Sequence, residues 1–368
     1  MRKVSVDRLK SGMKVGRSVI NTNGQILLAH GIILNEKFIK RLAHLGIPAV
    51  YIDDGFLSDI QVEDVVSERT RYQAIELTKK VFQDFQYTRS LTGLEKVENA
   101  VGVLIKELLD NDTLMVNLVD IRGLDEYTFG HSVNTCILAV ITAIHMGYNE
   151  KKLHLLAMGA ILHDLGKILV PQEILNKPGK LTDEEFEVIK THSEFGYRLL
   201  SANKDFNSIS STVAWQHHER YNGSGYPQGL AGNRIHEFSF IVGVADVYDA
   251  LTADRVYRKA HPPHEAFEML SGTGDYLFDY EVVKAFLYHV AAYPVGSLVR
   301  LNNRQTGVVL ENRPGYPLRP KLKILFNVQD EPELNPYELD LGVHPNFSII
   351  NVIEEDDVLD VYKKKICT

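Results

Sequence analysis

The chain has 368 residues, 45% of them hydrophobic and 24% charged, a composition that supports a packed globular core and excludes general disorder. The formal net charge of -8 excludes a broad attraction to polymeric nucleic acid or to an anionic membrane surface, so a small anionic substrate would need local cations or metal ions to hold it. Two cysteines, Cys136 and Cys367, make no disulfide framework, and any metal must be held by His and carboxylates. The first residues carry no apolar leader, and the most apolar run, Ile137 to Met146, is too short to span a bilayer. A soluble, cytoplasmic protein without membrane insertion is expected.

Residues 1–60 read as a small β-rich module. Short β-prone runs between Val15 and Leu28 are split by a hairpin-like turn at Asn21-Thr22-Asn23-Gly24. A short helix near Glu36 to Leu45 and a strand at Ala49 to Ile52 follow. Residues 61–111 read as a helical connector. Val97, Val101, Leu104, Ile105 and Leu108 form an i, i+3/i+4 stripe that needs a neighbour to cover it, within the chain or across a homodimer.

Residues 112–292 form a long helical block. Helices are expected at Thr128 to Gly147, Lys151 to Leu165, from Thr182 on, Ser239 to Leu251 and His264 to Leu270. Thr182-Asp183-Glu184-Glu185 matches a capping box, and the loop Tyr221 to Pro227 breaks the helices. Residues 293–368 return to short β-branched runs at Gly296 to Leu301, Gly307 to Glu311, Leu322 to Phe326 and Phe347 to Ile353. The fold class expected is mainly α: a helical bundle with a small N-terminal mixed β/α module and a small C-terminal β-rich segment.

The chemistry-bearing residues sit where apolar patterning would place a core. His163-Asp164 ends the apolar run that begins at Leu155. An ionised Asp there is expensive unless it is paired or bound to metal, so the alternatives are a buried ion pair and a ligand pair. His192 recurs with Val188, Phe195 and Leu199 on one seam, as a core histidine or a ligand. His217-His218 follows Val213-Ala214-Trp215. Neighbouring helical side chains diverge by about 100°, so the two could ligate one ion only near a helix end, or serve different positions around a cluster; the alternative is one buried and one exposed ring. His131 shares a face with Asn134 and Leu138. Asp246 ends the apolar run from Phe240, and Asp249, three residues on, shares its face and could recruit a weak further ion.

Lys167 lies three residues beyond Asp164, as a phosphate-neutralising group or a solvated lysine. Arg255 and Arg258 at i, i+3 could clamp a phosphate or make surface ion pairs. Taken together, five imidazoles and two or three carboxylates at inward positions are explained at once by a cluster of more than one metal ion. Imidazole and carboxylate without thiolate suit Fe, Mn or Zn, and paired ions suit phosphodiester hydrolysis.

The combination of His131, His163-Asp164-Leu165-Gly166-Lys167, His192, His217-His218, Gly225-Tyr226-Pro227 and Asp246 resembles the HD-GYP family, a branch of the HD phosphohydrolases. The resemblance covers about residues 112–275. It implies a helical bundle hydrolysing cyclic di-GMP to pGpG, in some members on to GMP, with Fe or Mn as the metal. On this resemblance Asp164 bridges two divalent ions. His131, His163 and Asp246 complete one, and His192, His217 and His218 the other. Lys167 lies near the nucleophilic water and phosphate. Arg255, Arg258, Tyr226, Gly225 and Asn134 are expected on the substrate side.

Members with a third ion carry a Glu four residues before the first His. Here that position is Tyr127, with Glu126 one residue off, so two ions and pGpG as main product are expected. A catalytically silent cyclic dinucleotide receptor and a hydrolase of another cyclic nucleotide are the alternatives.

Overall fold

Apolar runs in the sequence become two separate cores. The structure, a computed structural model, describes residues 2–20, 26–45, 47, 49–53, 64–111, 114–117, 127–177, 179–204, 206–253 and 260–353. The N-terminal module holds β1 (Arg2–Ser5), β2 (Lys14–Val15), β3 (Val19–Ile20), β4 (Ile26–Leu28), α1 (Glu36–His44) and β5 (Ala49–Asp53). β5 is the centre of an antiparallel sheet in the order β1-β5-β2, and β3 pairs with β4. Ala49 to Ile52 are therefore buried on both faces, and Val4, Val15, Leu34, Leu42, Val50 and Ile52 close a small core. The expected α1 and β5 stand where the sequence placed them. The turn at residues 21–24 lies outside the described residues.

The stripe on residues 97–108 finds its cover within the chain. α2 (Glu68–Thr88) and α3 (Leu94–Leu109) pack on each other and on the following helices. Val97, Val101, Leu104, Ile105 and Leu108 are buried in the main core. Ser67 caps α2 by accepting from the Thr70 N–H, while Glu107 of α3 accepts from the Ser67 N–H and the Thr70 hydroxyl.

The central bundle comprises α4 (Tyr127–His145), α5 (Glu150–Ile161), a 3-10 turn at Leu165–Leu169, α6 (Gln172–Leu175), α7 (Asp183–Ala202), α8 (Ser208–Gln216), α9 (Glu237–Thr252), α10 (Pro263–Ser271) and α11 (Tyr280–Tyr288). α4 and α9 pack together at its middle. Their runs from His131 to Ala143 and Phe238 to Ala245 are buried all round, the pattern of helices enclosed by others. Cys136 lies in this wall, where burial pushes its thiol up to about 12. α7 opens with the expected capping box: Thr182 Oγ1 accepts from the Glu185 N–H, and Glu185 accepts from the Thr182 N–H at 2.8 Å.

β6 (Leu298–Leu301), β7 (Thr306–Glu311), β8 (Lys321–Phe326), β9 (Pro332–Asp340) and β10 (Ile349–Val352) form an antiparallel sheet in the order β10-β6-β7-β8-β9. Leu298 and Val308 on one face, and Val299, Leu322 and Ile324 on the other, are buried in the main core. β9 is the strand that patterning misses. It is a polar edge with Pro332 and Pro336, tolerated because one side of an edge strand needs no ladder partner. Among the described residues no helix is long and apolar enough to cross a membrane.

Candidate metal centre

Five helix ends and faces converge. His131 lies in the second turn of α4. His163 and Asp164 lie just past the end of α5, where the chain turns into the 3-10 segment. His192 is in the middle of α7, and Asp246 and Asp249 share a face of α9. His217 is the C-cap of α8 and His218 follows it, so the doublet leaves the helix where its two rings can turn the same way. His131, His163, Asp164, His192 and His217 are each at most 1% exposed. Donor atoms of His192, His217 and His218 lie within 4.8 Å of one another, as do those of His131, His163 and Asp164.

Asp164 stands between the two groups. Its Oδ1 is 3.5 Å from His192 Nε2 and 3.9 Å from His217 Nε2. Its Oδ2 is 3.4 Å from His163 Nε2 and 3.8 Å from His131 Nε2. Asp246 closes the open side, with Oδ1 3.0 Å from His131 Nε2 and Oδ2 3.8 Å from His218 Nδ1. Lys167 Nζ donates to Asp164 Oδ2 at 2.5 Å. The expected i, i+3 relation holds, but on a 3-10 turn rather than an α-helix, and there side chains three apart eclipse.

The rings are aimed from behind. Nδ1–H of His163 donates to the Ala160 carbonyl and that of His192 to the Ile189 carbonyl, both at 2.7 Å. His217 Nδ1 is 3.0 Å from the carbonyls of Val213 and Ala214. Each bond turns an Nε2 lone pair to the centre. His131 differs: its Nδ1 is 2.7 Å from Asp249 Oδ2. Asp249 Oδ1 accepts from Asn134 Nδ2 at 3.1 Å, and Asn134 Oδ1 accepts from Arg71 of α2. Both ends of the Asn134 amide are thus engaged inside the protein. Asp249 thereby supports the His131 ring.

His163 Nε2 and Asp164 Oδ1 are buried with no hydrogen-bond partner. Such orphaned atoms are costly unless a cation satisfies them, and the imidazole–carboxylate donor set fits divalent transition-metal ions. The electrostatics agree. Burial opposes ionisation of Asp164, yet Lys167 and His163 hold its carboxyl well below the ordinary range. His131 does the same for Asp246. Burial, with neighbouring imidazoles, holds His217 and His218 well below the usual histidine value, and burial foremost brings His192 to about 4. These rings are neutral and ready to donate. Burial pulls His131 down as well, but hydrogen bonds to Asp246 and Asp249 lift it to about 9. That side of the centre attracts positive charge.

The loop after His218 is built on contacts that sequence reasoning did not single out. A Cβ on Gly225 would lie 2.4 Å from the Arg220 nitrogen and 2.5 Å from the His218 carbonyl oxygen, so only glycine fits. Glu219 is 3% exposed, and its two oxygens accept from the N–H groups of Gln228 and Leu230, each at 2.8 Å. A charged residue after a His doublet gives no sign of this. Tyr226 lays its ring 4.6 Å from that of His218, and Phe186 and Lys190 of α7 also lie beside it. Arg255, Arg258 and Glu126 lie outside the described residues, and Tyr127 is described in its backbone only.

Comparison with known proteins agrees with this geometry. Residues 122–282 match the family described as "HD domain", and residues 298–360 match "KOW domain associated with HD domain". Over 242 residues the chain is 37% identical to "Cyclic di-GMP phosphodiesterase PA4108" of Pseudomonas aeruginosa, covering 66% of this chain and 58% of that one. Over 151 residues it is 43% identical to "Cyclic di-GMP phosphodiesterase response regulator RpfG" of Xanthomonas campestris, covering 41% and 40%. A "3'3'-cGAMP-specific phosphodiesterase 1" of Vibrio cholerae is 37% identical over 174 residues, 47% of this chain and 39% of that one. The chain spans about half the length of the curated relatives it matches. The solved structure of "Bd1817, a HDG"Y"P protein from Bdellovibrio bacteriovorus" shares the fold, with TM-score 0.52 and 20% identity over 77% of this chain and 97% of that one. The matched segment, residues 122–282, is thus an HD domain, and its motifs resemble those of the HD-GYP branch.

Proposed function

We propose that the chain is a metal-dependent phosphodiesterase that hydrolyses cyclic di-GMP to pGpG in bacterial second-messenger signalling, in the cytoplasm. The observation that carries this reading is Asp164, whose two oxygens face two separate histidine groups. His131, His163 and Asp246 would hold one divalent ion, His192, His217 and His218 the other, and Asp164 both, with Fe or Mn as the ions. Such a pair offsets the charge of a phosphodiester and lowers the pKa of a water held at it.

The protein's own groups supply the rest. Lys167, with a quarter of its side chain exposed, can meet a phosphoryl oxygen from beside Asp164. Tyr226, flanked by the exposed ring of Phe186 and by Lys190, offers a ledge on which a purine base can stack. Arg255 and Arg258 are proposed as further phosphate contacts. Relatives named for cyclic di-GMP and the retention of every matched ligand favour turnover of that nucleotide.

The test is cleavage by anaerobically purified protein of cyclic di-GMP, cyclic di-AMP and 3'3'-cGAMP in parallel. Metal-dependent conversion of cyclic di-GMP to pGpG, faster than of the others, is expected. Bound ions without turnover across Fe, Mn and Zn would make the protein a receptor, and preference for the mixed-base dinucleotide would reassign its substrate.

A further inference from the structure

α2 lies outside the residues that match the HD domain, yet one of its side chains reaches the groups that aim His131. Arg71 Nη1 donates to Asn134 Oδ1. Asn134 Nδ2 donates to Asp249 Oδ1 at 3.1 Å. Asp249 Oδ2 is 2.7 Å from His131 Nδ1, and His131 Nε2 faces Asp246 and Asp164. Asn134 and Asp249 are 1% and 2% exposed, so water does not compete for their polar atoms.

An asparagine amide has an acceptor end and a donor end, and either could face Asp249 on shape alone. A guanidinium has donors only, and by taking the oxygen it forces the NH2 group towards the carboxylate. Turned the other way, the amide would set oxygen against oxygen and push Asp249 off the His131 ring. From this we infer that Arg71 is a positioning residue for the metal centre: it fixes the Asn134 amide, the amide fixes Asp249, and Asp249 fixes the orientation and proton of His131.

The start of α2 is itself held by the N-terminal module. Arg17 pairs with Asp64 and, at 2.9 Å, with Glu68 in the first turn of the helix. That turn is also tied to α3 through Glu107. Arg71 sits three residues after Glu68. The segment ahead of the matched domain therefore contributes to the geometry of one half of the centre.

The inference rests on the reading of His131 as a metal ligand, and it is tested on the full chain. Mn2+ is titrated calorimetrically and anaerobically into the wild type, Arg71→Met and Arg71→Lys. Methionine keeps an apolar stem and removes every donor; lysine keeps a charged donor. In Arg71→Met one Mn2+ site should weaken about 10–100-fold, the usual effect of losing a group that orients a metal-ligating histidine. The other site should keep its affinity, and Arg71→Lys should recover most of the loss. A general loss of packing would not select one site or respond to lysine. Two sites of wild-type affinity in Arg71→Met, or equal weakening of both, would overturn the inference while leaving the metal centre in place. A wild type that binds no Mn2+ would overturn both.

Discussion

Gly166 lies against the backbone of α7 so closely that a Cβ built on it would fall 1.9 Å from the His192 carbonyl oxygen, and 2.5 Å from the Gly196 nitrogen. This contact seats the turn bearing His163 and Asp164 on the helix bearing His192. It sets the 3.5 Å between Asp164 Oδ1 and His192 Nε2. Backbone cannot yield as a side-chain tip can, so Gly166→Ala must part the two elements, at a cost of about 1–3 kcal/mol or more. Melting temperature and metal affinity should fall together. An alanine variant that melts and binds like the wild type would show that the contact is dispensable.

Lys167 pairs with Asp164 but is not among the proposed ligands, so Lys167→Met separates charge stabilisation from metal holding. With ions bound, the variant should keep its metal content and lose roughly 10²–10³-fold in kcat, the scale of removing one preorganised group from a developing charge. Elemental analysis and steady-state cleavage of cyclic di-GMP read the two quantities separately. Unchanged kcat would leave Lys167 with a purely structural pairing.

Glu219 accepts one loop N–H on each oxygen. Glu219→Gln keeps one acceptor and faces the other amide with an NH2 group. One buried bond is lost, at about 1–3 kcal/mol, and the loop carrying Tyr226 loosens. Amide hydrogen exchange at Gln228 or Leu230 should accelerate about 10-fold or more, whereas His192 should keep its protection. Wild-type exchange at both loop amides would contradict this role.

Much of the centre was legible because polar residues interrupt apolar periodicity there. His131 and Asp246 stand in runs that are buried all round, and His163-Asp164 closes another. The cost of a lone charge in such a wall points to a partner. For His217-His218 the sequence left the alternatives open, because a doublet inside an α-helix would diverge, and it is the end of α8 at Gln216 that places the pair at a helix end. The buried seam of α7 was less legible. The structure buries His192, Ser193, Gly196 and Leu200, while Phe195 and Leu199 are half-buried. Gly196 carries no apolar side chain to mark the seam, and its value lies in the approach of Gly166. Arg71 was invisible because a single arginine near the start of a charged helix looks solvated, and only tertiary folding brings it to Asn134. β9 escaped because its edge position frees it from the alternation that a half-buried strand must show.

The central claim is that Asp164 is shared by two metal ions. The most direct measurement is the number of ions per chain, by elemental analysis, in wild type and Asp164→Asn purified anaerobically side by side. Asparagine keeps the size but offers one neutral oxygen where two charged ones stood. Two ions in the wild type and fewer than one in the variant are predicted. Undiminished metal in Asp164→Asn would contradict the shared carboxylate, and three tightly held ions in the wild type would contradict the two-ion centre.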